Sequence, residues 1–225
     1  MTSLHPAQRK ALLRHTLAID RVLTTAQLTR RGLLETAEWL ELPRVTRTCR
    51  TRVTQSESDT DLTFVALRAE DLDCPSRDLM HLAGLAEARH RITLAEGEVW
   101  RHVSLQGRVK RHQAHAEILQ TLDPSRRSDW AVEYDAGYSW GRITDKLVAA
   151  DEGGYLKVYW ATSIHARTLT VMTLAQQLQQ AGRLPHLTQV ETRFVDFWTP
   201  REPYVGRPRC HKPTALTHVF PARAG

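Results

Sequence analysis

Two acidic residues two positions apart are the side chains of this chain best suited to chemistry. Glu133 and Asp135 close the apolar run Trp130–Asp135, and on a strand their side chains would point to the same face of the sheet. Lys146 follows in the next helical pattern, and Asp123 precedes the run. Carboxylates and a lysine around one sheet can hold Mg²⁺ or Mn²⁺ on a phosphate and polarise it. We therefore take Glu133, Asp135 and Lys146 as candidate catalytic residues and Asp123, Glu133 and Asp135 as candidate metal ligands.

A structural role is the competing interpretation of the same residues. Carboxylates at a strand end often form plain ion pairs without catalysis, and here Arg142 or Lys146 would be the partner. His112 and His115 lie three apart in a helical pattern and could bind a metal. Without a third ligand nearby, an ordinary helix face is the expectation for these two histidines, and a surface charge is the expectation for Arg167.

The elements that would position these residues alternate in type. Strand patterns cover 130–134, 156–161 and 188–197, and helical patterns cover 140–150 and 166–181. This order predicts a mixed α/β sheet with crossover connections. Upstream, the sequence predicts a helix over 77–91, a strand over 97–105 and a helix over 108–122. We expect a domain over 77–198, followed by an extended proline-rich C-terminal tail over 199–225.

The N-terminal part has a different pattern. A helical stripe runs from Ala7 to Leu23, Thr24 or Thr25 is suited to cap a short helix that Gly32 ends, and a third helical piece covers 35–42. The period then switches to two over 44–55 and 62–67, which predicts a hairpin. Three helices followed by a hairpin is the order of a winged helix-turn-helix domain, which we expect over residues 1–72.

Composition points to a polyanionic partner. The 225-residue chain has 31 Lys and Arg against 25 Asp and Glu, a formal charge of +6 carried mostly by arginine. Arginine suits bidentate contacts with phosphates and bases, so double-stranded DNA is the expected partner, and a solvated arginine surface is the alternative. The candidate DNA-binding residues are Arg30, Arg31, Arg44, Arg47, Arg50, Arg52, Arg108, Lys110 and Arg111.

The remaining sequence features concern location. The three cysteines are widely spaced and form no C-x-x-C motif, which favours a reducing compartment. There is no signal peptide pattern and no apolar stretch of transmembrane length. We therefore expect a cytoplasmic, nucleoid-associated protein with no membrane partner.

Two resemblances add to this interpretation. The acids and lysine resemble the site of the restriction-endonuclease-like superfamily, built on an α-β-β-β-α-β core with an acid-x-lysine motif. Here Asp135 stands where that lysine belongs, and Lys146 would supply a migrated one. More of the chain resembles the replication-relaxation family, whose succession "E-x-D-x-G-T … K-L … V-L-F-V-T … R" is similar to residues 133–139, 143–147, 158–162 and Arg167. Those proteins also begin with a winged helix.

The resemblance to the replication-relaxation family implies a DNA-binding protein that acts in replication, relaxation or transcriptional control of a replicon, with a degenerate nuclease-like domain. Two alternatives stay open, a Mg²⁺- or Mn²⁺-dependent DNA endonuclease and an antitoxin-like regulator that binds a partner protein. Without catalysis no cofactor is expected. Winged-helix proteins often form homodimers, although no heptad pattern here marks an interface.

Overall fold

The chain forms two compact units in a computed structural model that describes residues 4–52, 57–103, 114–119, 129–201 and 214–221. Unit 1 comprises residues 1–51, 56–87 and 196–210, and unit 2 comprises residues 52–55, 88–195 and 211–225. Helix and strand are mixed in an α+β fold with one three-stranded and one six-stranded sheet. Across these described ranges, every helix is too short or too polar to cross a membrane.

Unit 1 begins with three helices and closes with a hairpin. Its elements are α1 (Pro6–Asp20), β1 (Val22–Thr24), α2 (Thr25–Arg30), α3 (Leu34–Trp39), β2 (Arg44–Arg52), β3 (Glu57–Ala66) and a 3-10 helix (Ala69–Leu72). The sheet order is β1-β3-β2, with β1 antiparallel to β3. Leucines from the three helices and β1 form the core, among them Leu13, Leu17, Leu23 and Leu28. Helix α4 (Ser76–Arg91) follows, and the division between the units falls within it.

The ends of α2 follow from local side-chain chemistry. The Thr24 hydroxyl accepts the Gln27 amide while the Gln27 side chain accepts the Thr24 amide, a reciprocal capping box. Gly32 then adopts a φ of 65°, a left-handed conformation that glycine reaches without Cβ strain. The predicted cap and stop are both confirmed.

Unit 2 is built on the six-stranded sheet. Its elements are β4 (Val99–His102), β5 (Ala116–Leu119), β6 (Trp130–Asp135), α5 (Trp140–Glu152), β7 (Lys157–Thr162), α6 (Arg167–Gln180), β8 (Gln189–Phe194) and β9 (Ala215–Val219). The strands lie in sequence order; β6, β7 and β8 are parallel, and the other neighbours are antiparallel.

Helices α5 and α6 share one apolar core with the sheet. Ile143 and Leu147 from α5 and Val171 and Ala175 from α6 pack with Ala131, Val158, Trp160 and Val190. Side chains alternate along a strand, so Glu133 faces the helices together with Ala131. The packing of α5 therefore brings the first candidate acid into a dry environment.

Three expectations about elements need correction. Residues 116–119 form β5 rather than part of a helix over 108–122, because all four are buried between two neighbouring strands and a short apolar run fits either element. The remainder of that predicted helix, except residues 114 and 115, lies outside the described residues. Within the predicted tail, β9 adds an edge strand to β8. The first helix was expected to run to Leu23, but α1 ends at Asp20 and Val22–Thr24 form β1, which is too short to show a period of its own.

Candidate functional site

Glu133 and Lys146 meet directly in the core of unit 2. The Lys146 Nζ donates to Glu133 Oε1 at 2.8 Å, and the two side chains are only 4% and 3% exposed. Lys146 lies one residue before Leu147 and three after Ile143, so the apolar face of α5 that packs on the sheet carries Lys146 inward with it. The structure thus brings together the predicted catalytic pair, in the ion pair that the structural interpretation named.

His115 completes the surroundings of the Glu133 carboxyl. Its Nδ1 lies 3.1 Å from Glu133 Oε2 and also accepts the Tyr134 amide at 3.0 Å. A ring nitrogen that accepts an amide carries no proton for a carboxylate. The Nδ1 lone pair and a charged Oε2 would repel each other at 3.1 Å, so the contact favours a protonated Glu133 carboxyl, whose proton would share the Nδ1 lone pair with the Tyr134 amide. On the other side of the ring, His115 Nε2 lies 3.2 Å from the Tyr138 hydroxyl.

The acidity of Glu133 agrees with this geometry. Burial raises the pKa of the Glu133 carboxyl to about 7, because the attraction of the Lys146 ammonium only partly offsets the loss of water. Arg142 lowers the pKa of Glu133 further, and Asp135 raises it. A carboxyl with this pKa can hold or release a proton near neutrality.

Asp135 has a different set of partners from Glu133. Its Oδ1 accepts the amides of Gly137 at 2.6 Å and Tyr138 at 2.5 Å, and its Oδ2 lies 3.6 Å from Arg167 Nη1. Burial raises the pKa of Asp135, opposed chiefly by the Tyr138 amide and the Arg167 charge. Hydrogen bonds from two backbone amides to one carboxylate form an Asx turn. Asp135 therefore fixes the conformation of the connection between β6 and α5. Arg167, expected to be a surface charge, instead pairs with this acid.

Tyr138 links the turn to the rest of the site. The Arg142 guanidinium carbon lies 4.2 Å from the centroid of the Tyr138 ring, and Trp160 contacts that ring edge to face at 6.2 Å between centroids. The chain Lys146, Glu133, His115 and Tyr138 is therefore one connected polar row that leads from the core to a half-buried phenol.

The predicted metal site stays a prediction. Among the residues that the structure describes, no three His, Cys, Asp or Glu side chains are grouped as a metal ion would require. Asp123, the third predicted ligand, lies outside the described residues. Glu133 and Asp135 share a strand face, as predicted, but they contact different groups.

Arg30 and Arg31, two of the candidate DNA-binding residues, form ion pairs inside unit 1. Their side chains are 7% and 8% exposed, and both reach Glu87, at 2.9 and 3.7 Å. Arg31 also lies 3.8 Å from Asp20, and Arg30 donates to the Asp196 carbonyl. Their charges are therefore balanced within the unit and reach little solvent.

The candidates on β2 are placed differently. Arg44, Arg47 and Arg50 are exposed. Arg44 lies 3.9 Å from Glu38 and Arg50 3.5 Å from Asp59, both loose contacts at the surface. Arg52 ends β2, while Arg108, Lys110 and Arg111 fall outside the described part of the chain. The hairpin is thus where the described candidates present cations to solvent.

Sequence reasoning missed two members of the site. His115 was considered only as a helical metal ligand, and Tyr138 was not singled out within the succession over 133–139. Their roles depend on pairing between β5 and β6 and on the Asp135 turn, which no spacing in the sequence reveals. No protein-family model, curated protein or solved structure matches this chain.

Proposed function

We propose that this chain is a double-stranded DNA-binding protein that acts in replication, relaxation or transcriptional control of a replicon. The observation that carries the proposal is the order of unit 1, α1-β1-α2-α3-β2-β3 with sheet order β1-β3-β2. A winged helix-turn-helix has this order of elements, and its common partner is duplex DNA. In this proposal unit 1 is the winged helix.

The exposed side chains suggest which element would contact DNA. On α3, the counterpart of a recognition helix, they are Glu35, Glu38 and Trp39. Two carboxylates would repel phosphates. The exposed arginines of β2 would attract them, so in this proposal the hairpin supplies the phosphate contacts of unit 1.

Unit 2 would be an endonuclease-like domain that has lost catalysis. In unit 2, β4, β5, β6, α5 and β7 follow the β-β-β-α-β part of the α-β-β-β-α-β order of the restriction-endonuclease-like superfamily, and the preceding helix α4 is divided between the two units. Lys146 is engaged by Glu133, and the Asp135 carboxylate accepts two amides of its own turn. These contacts support a structural role for the motif shared with the replication-relaxation family.

Binding over a salt series tests the proposal. Fluorescence anisotropy with a labelled duplex should give an affinity that falls steeply as salt rises, because neutralised phosphates release counterions. The double variant Arg47→Gln/Arg50→Gln should make the negative slope of log K against log salt shallower by about 0.9 per lost phosphate contact. Arg77→Gln, an exposed arginine of α4, is the control. Absence of binding at low salt, or equal losses in variant and control, would contradict the proposal.

A metal-dependent nuclease is the second candidate, favoured by the same element order and by the closeness of Glu133 and Lys146. Supercoiled plasmid incubated with Mg²⁺ or Mn²⁺ separates the two candidates. Cleavage by the wild type that Glu133→Ala abolishes and Glu152→Gln retains would establish the nuclease. Intact plasmid, or equal cleavage by all three proteins, would exclude the nuclease and favour the non-catalytic DNA-binding protein.

A further inference from the structure

Unit 2 contains a cavity on the sheet face that the candidate site does not use. Its volume is about 230 Å³, and the side chains that shape it include Arg91, Glu98, Trp130, Tyr159, Glu191 and Arg193. Trp130 lies beside Ile118 in the strand register, and Tyr159 lies beside Glu191. Alternation along β6 points Trp130 away from Glu133, so the cavity and the Glu133 row lie on opposite faces.

The size of the cavity selects a small ligand. A cavity of roughly 150 Å³ holds a benzene molecule, so this one suits on the order of ten non-hydrogen atoms. A single purine ring system has that size, whereas a whole nucleotide exceeds it. Thr93 lines the cavity and is exposed, so the cavity opens to solvent and a ligand could leave its remaining atoms outside.

The charges of the cavity select the hydrogen-bonding pattern of the ligand. Glu191 and Arg193 lie two apart on β8, and Arg193 Nη2 is 3.0 Å from Glu191 Oε1, so an acceptor and a donor stand side by side. Within the described structure, the buried Arg193 Nε has no hydrogen-bond partner. Guanine carries the complementary edge, with acceptors at O6 and N7 next to donors at N1 and N2. Arginine donates to O6 and N7, and a carboxylate accepts from N1 and N2.

The other walls suit a flat ring. The half-buried indole of Trp130 and the side chain of Ile118 offer apolar surface beside the charged pair. Lys157 and Arg91 add positive charge, since Lys157 Nζ lies 5.0 Å from the Trp130 ring centroid and Arg91 is part of the lining. Glu98 already accepts the Ala95 amide. Glu191 lies directly beside the Arg193 donor, so it is the carboxylate placed to accept from the same edge of a ligand that Arg193 contacts.

We propose that this cavity binds a guanine base, presented by a free nucleoside or by an unstacked guanine of a single strand. The binding of duplex DNA neither requires this site nor follows from it.

Isothermal titration of the full chain with guanosine tests the site. We expect saturable binding with a Kd below about 1 mM, the range reached by small ligands of this size, and at least roughly tenfold weaker binding of adenosine and cytidine. A dT oligonucleotide with one dG, compared with dT alone, separates the two sources of the base. A preference for the dG strand over guanosine would assign the site to nucleic acid; the reverse would assign it to a free nucleoside.

Three variants connect binding to the cavity. Glu191→Gln removes the negative charge and replaces one acceptor oxygen with an NH2 donor, so it should weaken guanosine binding at least about tenfold. Thr93→Trp should block the opening without touching the charged pair. Glu152→Gln removes an exposed carboxylate at the end of α5 and should bind as the wild type does. If Glu191→Gln fails to fold by circular dichroism, Thr93→Trp decides alone. No saturable binding, equal binding of the three nucleosides, or unchanged binding in Thr93→Trp would overturn the proposal.

Discussion

At the residue scale, the main question is how a carboxyl survives in the core of unit 2. An isolated carboxylate there would lose its hydration at a cost that one cation rarely repays. Glu133 has a cation on one oxygen and a ring nitrogen on the other, 2.8 and 3.1 Å away. Protonation removes the charge without breaking the contact with His115. Below about pH 7 the Glu133 carboxyl of this row is therefore neutral, and the ion pair with Lys146 forms as the carboxyl ionises above that pH.

The pH dependence of stability follows from the raised pKa of Glu133. The folded chain holds this proton up to about pH 7, whereas the ordinary value is 4.5. The contribution of Glu133 to the free energy of unfolding is therefore fully present below pH 4.5 and is lost as pH rises through 7. The loss should be on the order of 3 kcal/mol relative to Glu133→Gln, which cannot titrate. Urea unfolding of both proteins at several pH values measures it.

The control for the pH series is Glu152→Gln, because Glu152 is exposed. Its difference from the wild type should stay flat over the same pH range. A flat difference for Glu133→Gln as well would mean that the Glu133 carboxyl keeps its ordinary acidity in the fold.

Removing the cation tests the ion pair itself. Lys146→Met should destabilise the chain increasingly as pH rises above 7, by up to about 3–5 kcal/mol, because the pKa of Glu133 rises without the cation and the buried carboxylate is then unpaired once it ionises. The double variant Glu133→Leu/Lys146→Met should recover most of that loss, since apolar side chains of similar size replace both charges. Chemical denaturation gives both values. A double variant as unstable as the single one would show that the ion pair itself stabilises the fold.

Sequence reasoning reached some of these residues and not others. Glu133 and Asp135 could be placed on one strand face and Lys146 on the following helix, because both inferences use local periodicity. The different partners of the two acids could not be foreseen. They depend on the distance between His115 and Glu133 across two strands and on the two amides that turn Asp135 back toward α5.

At the scale of elements, the side chains of the segment from Asp135 to Ser139 specify the turn between a strand and a helix. Asp135 accepts two amides, Gly137 adopts a φ of 126°, and the Ser139 hydroxyl accepts the Arg142 amide to cap α5. Only glycine reaches that φ without strain, and serine is a preferred cap. The motif that suggested a catalytic sequence therefore also encodes the connection that places Lys146 over Glu133.

The cap offers a measurable effect at this scale. Ser139→Ala should lower the free energy of unfolding by about 1 kcal/mol, and Ser139→Asp should restore it because aspartate also accepts helix amides. Thr173→Ala on the exposed face of α6 should change it by less than about 0.5 kcal/mol. Urea unfolding of the three variants gives the comparison. Equal losses for alanine and aspartate at position 139 would exclude a capping role.

The elements that were predicted correctly have strong local signals, and the others lack them. The cap at Thr24, the stop at Gly32 and the hairpin of β2 and β3 follow from turn chemistry and from a period of two. Strand β5 has four residues and β1 has three, too few for a period to appear. Strand β9 exists because β8 offers it an edge. Strands of this kind depend on pairing with distant parts of the chain, and a single sequence does not show that pairing.

At the scale of the whole molecule, the two units differ in charge. Unit 1 contains 14 basic and 14 acidic residues, and unit 2 contains 17 and 11. The entire surplus of +6 therefore belongs to unit 2, although the element order on which the DNA-binding proposal rests belongs to unit 1. Attraction for a polyanion scales with local positive charge. A duplex bound by this chain should therefore depend on cations from unit 2 as well as on those of β2.

The segment with Arg108, Lys110 and Arg111 allows this dependence to be measured. The triple change to glutamine removes three charges from unit 2. If each of them contacts a phosphate, the negative slope of log K against log salt should become shallower by roughly 2 to 3. The triple variant Arg44→Gln/Arg47→Gln/Arg50→Gln removes the same charge from unit 1 and serves as the matched comparison. Because unit 1 is neutral as a whole, we expect the unit 2 variant to lose at least as much affinity. Anisotropy titrations at several salt concentrations measure both slopes, and a large loss confined to the β2 variant would place duplex binding in unit 1 alone.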